Sequence, residues 1–270
     1  MNEEKNFKLI IAEQYLKGEL PILERKDTFN FTCVQCGECC RNRGDILLNP
    51  LDIFRLCKEK QMEPQDLFQK YCEIYPGKDT KLPLVRVQFR PVYALGSDKV
   101  IGTRCPFLGK KDDLHFCRVH KSKPFVCFSY PLGRVQKQAE KAEYVLQTDI
   151  HCAGAMKAKA DGTMQQVEAW MFGKERLDIE EAFNNIFSGF LDSFYKWINL
   201  DKLSGSKDLL PIYKKWFGLT GELLYCNYDF DADEKSFLEQ LRKNISMIEE
   251  MCTFVVNEFS GIADLRSKYK

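Results

Sequence analysis

Apolar and polar positions follow two rhythms along this 270-residue chain, and the rhythm changes near residue 150. Phe7, Ile10, Ile11, Tyr15 and Leu16 recur at helical spacing, and Pro21 ends the stretch. An N-terminal helix and connector are therefore predicted over 1–26. Asp45-Ile-Leu-Leu48 predicts a short strand, and Asn49-Pro50 places a capping residue before a proline suited to the first helical position. The helix it opens carries Leu51, Phe54, Leu56 and Cys57; a second, from Pro64, carries Leu67, Phe68, Tyr71 and Cys72. Alternation at Val85, Val87 and Phe89 predicts strands between Leu82 and Ile101, with Gly96-Ser97-Asp98 as a turn, and 143–149 predicts another.

Beyond Cys152 the period becomes helical. Thr163-Met-Gln-Gln166 and Asp178-Ile-Glu-Glu181 both have the form of a capping box. The first leads into Val167, Trp170 and Met171. The second opens a helix with Phe183, Ile186, Phe187, Phe190, Leu191, Phe194 and Ile198 on one side. About 233–259, the residues Leu238, Leu241, Ile245, Ile248, Cys252, Val255 and Phe259 keep three- and four-residue steps. Such stripes predict core or partner-helix packing more readily than a ligand cavity. The expected fold class is α+β, a small antiparallel sheet and helices with a helical C-terminal extension. The expected divisions are 1–26, 27–175 and 176–270, the last packed on the second.

Composition narrows the function classes. Hydrophobic residues make up 44% and charged residues 29%, as in a soluble globular protein. A net charge of +1 gives no electrostatic reason to expect nucleic acid or an anionic membrane as partner. No apolar run approaches the roughly 20 residues of a membrane span. Met1-Asn-Glu-Glu-Lys has acidic residues where a secretory signal needs a basic start, so a cytoplasmic chain is expected.

That expectation gives the cysteines their meaning. There are 12, and four of them stand in Cys33-Val-Gln-Cys36-Gly-Glu-Cys39-Cys40. A reducing compartment keeps thiols out of disulfides, and two-residue gaps let a turning backbone aim successive sulfurs at one centre. Four more stand out by context: Cys105 in Cys-Pro-Phe-Leu108, Cys117 before His120, Cys127 in Lys123-Pro-Phe-Val-Cys-Phe-Ser-Tyr-Pro131, and Cys152 in His151-Cys-Ala-Gly154. The candidate metal ligands are thus Cys33, Cys36, Cys39, Cys40, Cys105, Cys117, Cys127 and Cys152, with His120 and His151 in reserve. Cys57, Cys72, Cys226 and Cys252 read as buried small hydrophobes. His115, beside Phe116 in a polar loop, reads as an ordinary surface histidine, and Asp112-Asp113 as a turn.

These motifs resemble the CxxCxxCC, or YkgJ-type, cysteine-cluster family, a zinc- or iron-chelating domain. The likeness runs over about residues 29–172 through CxxCGxCC, a helix beginning near Asp52-Ile53, CPFL, a cysteine near a histidine, the Pro-x-x-Cys-x-x-Tyr-Pro element and a final cysteine before Gly154. Two positions depart from the family pattern. Lys123 replaces the usual arginine before Pro124, losing its planar fork, and Phe128 stands where a basic residue is common. The family is also similar to a domain of flagellin lysine-N-methylases, which raises an S-adenosylmethionine enzyme as the alternative. No CxxxCxxC triad and no glycine-rich nucleotide turn support it here.

Spacing leaves the metal open. CxxCxxC with a distant fourth cysteine suits a 4Fe–4S cluster, whereas tetrahedral zinc usually draws on two pairs of ligands. Iron–sulfur is slightly favoured over zinc. Cys39 and Cys40 then serve different centres, or one of them stands outside the first ring of ligands. A redox or catalytic cluster and a purely structural metal remain equal readings, with metal delivery behind them. A protein partner docking on the C-terminal helices is a further expectation.

Overall fold

The computed structural model describes residues 13–78, 80–135, 141–147, 152–197 and 210–268, with side chains described up to 194 and up to 253 in the last two stretches. The chain divides into two compact units, each made of two segments: Met1–Ile46 with Phe89–Asn184, and Leu47–Gln88 with Asn185–Lys270. The architecture is α+β, with small antiparallel sheets and a helical C-terminal region. The described strands form five small sheets where the sequence predicted one. The strands are only two to five residues long, so each pairing stays small.

In the first unit, β1 (Ile22–Leu23) pairs with β11 (Glu143–Leu146), which also pairs with β10 (Leu132–Val135). β2 (Thr28–Asn30) pairs with β12 (Met164–Gln166). Two hairpins complete the unit: β6 (Arg90–Tyr93) with β7 (Val100–Arg104), and β8 (Leu108–Lys111) with β9 (Leu114–Cys117). The predicted 96–98 turn caps the first hairpin, where Gly96 takes a φ of 69° that suits glycine.

Phe29, Phe31, Phe128, Leu132, Tyr144, Val167, Met171 and Leu177 form this unit's core, with Cys152, Tyr130 and Trp170 packed on its edge. Burial of each large apolar side chain stabilises the unit by about 1.5–3 kcal/mol. The helices are α3 (Phe125–Ser129), α4 (Ala153–Asp161), α5 (Val167–Trp170) and the start of α6 (Lys174–Trp197). Both predicted capping boxes fail here. Thr163 precedes a strand because 164–166 find hydrogen-bond partners on 28–30, and Asp178 lies inside a helix that begins at Lys174. Asp178 and Glu181 instead bind the Arg25 guanidinium.

The second unit contains β3 (Leu47–Leu48), β4 (Cys72–Pro76) and β5 (Pro83–Val87) in the order β3-β5-β4, with α1 (Pro50–Lys60), α2 (Pro64–Tyr71), α7 (Leu210–Tyr225) and α8 (Glu234–Lys268). Asn49 caps α1 as predicted: its side chain accepts from the Asp52 N–H, and Asp52 accepts from the Asn49 N–H. Cys72, predicted on the second helix, opens β4, because residues 72–76 pair in register with 83–87. Phe54 stacks on Phe230 and lies 4.7 Å from Phe237, while the buried Arg55 grips Glu234 with both nitrogens.

The predicted stripe of α8 is buried at Leu238, Leu241, Ile245, Ile248 and Cys252. Phe183, Ile186, Phe190 and Phe194 of α6 are buried too. Phe7, Ile10, Ile11 and the side chains of Ile198, Val255 and Phe259 lie outside the described residues. Among the described residues, no helix is long and apolar enough to cross a membrane.

Candidate metal centre

All eight cysteines singled out by motif fall in the first unit, and the other four fall in the second. None of the twelve is joined in a disulfide. The early quartet sits on a tight loop. Gln35 and Gly37 both adopt left-handed backbone, at φ 54° and 76°, and Glu38–Cys40 make one turn of 3₁₀ helix. Backbone in these conformations turns sharply within two residues, so the four cysteines share one tight loop.

Later segments reach this loop through the main chain. The Cys105 N–H donates to the Cys40 carbonyl at 2.9 Å, and Asn42 N–H to the Thr103 carbonyl at 2.9 Å. The Asn42 side chain accepts in return from Thr103 N–H at 2.8 Å. From Cys105 the chain turns into β8, where Leu108 faces Cys117 across the hairpin. On the same hairpin the His115 N–H donates to the Gln35 carbonyl at 2.9 Å. Cys152 stands at the N-terminal boundary of α4. Gly154, the second residue of α4, approaches the segment before Cys33 so closely that a Cβ on it would lie 1.9 Å from the Thr32 carbonyl oxygen. Cys127 sits on α3, whose first turn is closed by donation from Cys127 N–H to the Pro124 carbonyl at 2.8 Å.

Electrostatics link the same sulfurs. The Cys40 S–H donates to Cys39 across 3.9 Å, and this bond pulls the Cys39 thiol down to about 6. Partial burial opposes that shift, while Lys123 and Arg43 reinforce it. As the donor, Cys40 is pushed the other way, with Cys39, Cys105 and Cys127 adding to its reluctance to ionise. Burial holds Cys105 up to about 11, aided by Cys117 and Cys39. Tyr130 is raised by burial and by its neighbours Cys152 and Cys39. Arg43, anchored on Asp45 by two bonds of 2.7 Å, places a fixed cation near Cys39 and Cys127.

Arg41, Arg43 and Tyr130 were not singled out from sequence. Two arginines directly after a four-thiol run were the available signal, since a cluster of thiolates calls for nearby cations. Lys123 is close enough to lower Cys39 despite lacking the fork of an arginine. His120 is exposed, its ring edge-on to Phe172 at 5.7 Å, and burial followed by Lys123 lowers its pKa. His151 lies outside the described residues. His115 is no loop histidine: it is half-buried on β9, and its Nε2 lies 2.9 Å from an Arg41 nitrogen.

The donor set fits a soft metal, because thiolates ligate zinc and iron–sulfur clusters and two cations stand ready to balance their charge. Among the described residues, no three His, Cys, Asp or Glu side chains are gathered onto one point closely enough to hold a metal ion. The fit is therefore one of chemistry and neighbourhood; ligation would draw side chains inward. Residues 32–153 match the family model described as CxxCxxCC: Putative zinc- or iron-chelating domain. No curated protein and no solved structure matches the chain.

Proposed function

We propose that this CxxCxxCC domain holds a thiolate-ligated metal centre, with an iron–sulfur cluster of the 4Fe–4S type as the first reading and zinc as the second. The ligands are drawn from Cys33, Cys36, Cys39, Cys40, Cys105, Cys117, Cys127 and Cys152. One observation carries the reading. Main-chain hydrogen bonds bring cysteine segments more than 60 residues apart together, Cys105 N–H to the Cys40 carbonyl and His115 N–H, two residues before Cys117, to the Gln35 carbonyl. Packing alone gives no reason to assemble half-exposed thiols beside Arg43 and Lys123.

The protein's own groups have distinct parts in this. Cys39, held as a thiolate near neutral pH, would ligate without first losing a proton. Cys40 and Cys105 must each shed a proton on binding, so their ligation is coupled to proton release. Arg43 and Lys123 offset the negative charge that accumulates as thiols ionise. Tyr130 and Cys152 pack together at the edge of the apolar core. A bound centre would supply cross-linking of the loops at 33–40, 105–117, 127 and 152, and in the iron–sulfur case an electron-accepting site.

Full-length protein purified without oxygen provides the test. At least one equivalent of zinc or iron per chain is expected. A broad absorption near roughly 400 nm marks iron–sulfur, while a colourless zinc protein selects the second reading. Less than one equivalent of either metal removes the proposal.

A further inference from the structure

His115 and Cys117 are two apart on β9, so both project from one face of the strand. Both are half-buried, whereas Leu114 and Phe116 are exposed on the other face. The His115 face meets the cysteine loop. A Cβ built on Gly37 would come within 2.9 Å of the His115 Cγ, so the ring packs directly on the residue between Cys36 and Cys39.

Arg41 settles the state of this ring. Its Nη2 lies 2.9 Å from His115 Nε2. A guanidinium carries five donors and no acceptor, so Nε2 must accept and the ring hydrogen must sit on Nδ1. Nδ1 is buried and has no hydrogen-bond partner, sulfur included, among the described residues. A buried N–H with nothing to donate to is costly and calls for an explanation. Cys117 shares the strand face of His115, and Cys36 and Cys39 flank Gly37, on which the ring packs, so ligation that draws these sulfurs inward brings them toward the ring. A thiol is a weak acceptor, but a metal-bound thiolate or cluster sulfide accepts well, and such bonds tune iron–sulfur centres.

We propose that His115, locked by Arg41 with its hydrogen on Nδ1, donates a hydrogen bond to a sulfur of the bound metal centre. His115 is thus a positioning residue of the centre and not a ligand, because coordination through Nδ1 would strip the ring of its last hydrogen while Arg41 occupies Nε2. The inference rests on the metal-binding reading above.

Metal-loaded wild type, His115→Phe and His115→Asn are compared by metal content, far-ultraviolet circular dichroism and the rate of metal loss to a chelator. His115→Phe is expected to bind the wild-type number of equivalents and release them about 10-fold faster, as loss of an outer hydrogen bond does at metal sites. His115→Asn, whose amide nitrogen replaces Nδ1, is expected to stay within about threefold of wild type. Release from a folded His115→Phe at the wild-type rate overturns the inference while leaving the metal reading intact. Wild type that binds no metal defeats both. A measurement on wild type alone guards against a variant that fails to fold: in the cadmium-113 form, nitrogen-15 spectra should show hydrogen on Nδ1 of His115, coupled to cadmium through sulfur. Hydrogen on Nε2, or direct nitrogen ligation, overturns the inference.

Discussion

Cys39 and Cys57 carry the same thiol on the same chain, and their surroundings drive them apart. In the first unit, Cys39 is exposed, accepts the Cys40 hydrogen, faces Lys123 and Arg43, and sits at about 6. In the second, Cys57 is buried on α1 with no cation credited to it, and burial followed by Glu63 lifts it to about 12. Cys72 and Cys226 are also held at about 12 by burial, and Cys252 at about 11. Cys57, Cys72 and Cys252 act as small apolar side chains, whereas Cys226, predicted to be buried, is half-buried beside Glu222. What separates a ligand from a filler is the presence of donors and fixed cations around the sulfur, not the sulfur itself.

Alkylation gives the widest separation between the two sets. In metal-free protein at pH 7, Cys39 is mostly thiolate and Cys57 almost wholly thiol. After allowing for the lower intrinsic nucleophilicity of a low-pKa thiolate, Cys39 should react on the order of 10²-fold faster, before burial is counted. Because the Cys39 value is lowered, its rate is close to full at about pH 7, half of that near pH 6, and falls further as the pH drops. Mass spectrometry after timed labelling reads this directly; equal labelling of Cys39 and Cys57 would erase the distinction.

Backbone closeness offers the next contrast. Gly154→Ala must force its Cβ away from the Thr32 carbonyl, which is main chain and cannot rotate aside. A loss of about 3 kcal/mol or more and loss of bound metal are expected, from denaturant melts and metal analysis. Gly218→Ala, inside α7 with open space around it, should instead stabilise the protein by about 0.5–1 kcal/mol and leave metal content alone. Cys57→Ser, which buries a hydroxyl in the second unit, should cost about 1–3 kcal/mol without changing metal content. Asn49→Ala, which removes the α1 cap, should cost about 1 kcal/mol, again with metal stoichiometry intact.

Local rules made much of this legible from the chain. Asn49-Pro50 fixed a helix start because a side-chain acceptor and a proline act within four residues. The CxxCxxCC run marked the site because thiol density has few other uses. Rules that depend on distant partners were less visible. Thr163-Met-Gln-Gln166 has the form of a cap, yet residues 28–30 claim its backbone for a sheet. Cys72 continues a helical stripe until 83–87 pair with it. The grouping of 47–88 with the C-terminal helices depends on Phe54 meeting Phe230 and Phe237 and on Arg55 meeting Glu234, contacts of long sequence separation. His115 looked superficial because nothing in Leu-His-Phe-Cys reveals that Arg41 and Gly37 lie against it.

The central claim is that sulfurs scattered from 33 to 152 close on one kind of metal centre. X-ray absorption at the metal edge of anaerobically purified full-length protein tests it most directly. The account predicts a nearest shell made of sulfur, at about 2.3 Å if the metal is zinc. A shell dominated by nitrogen and oxygen would contradict it.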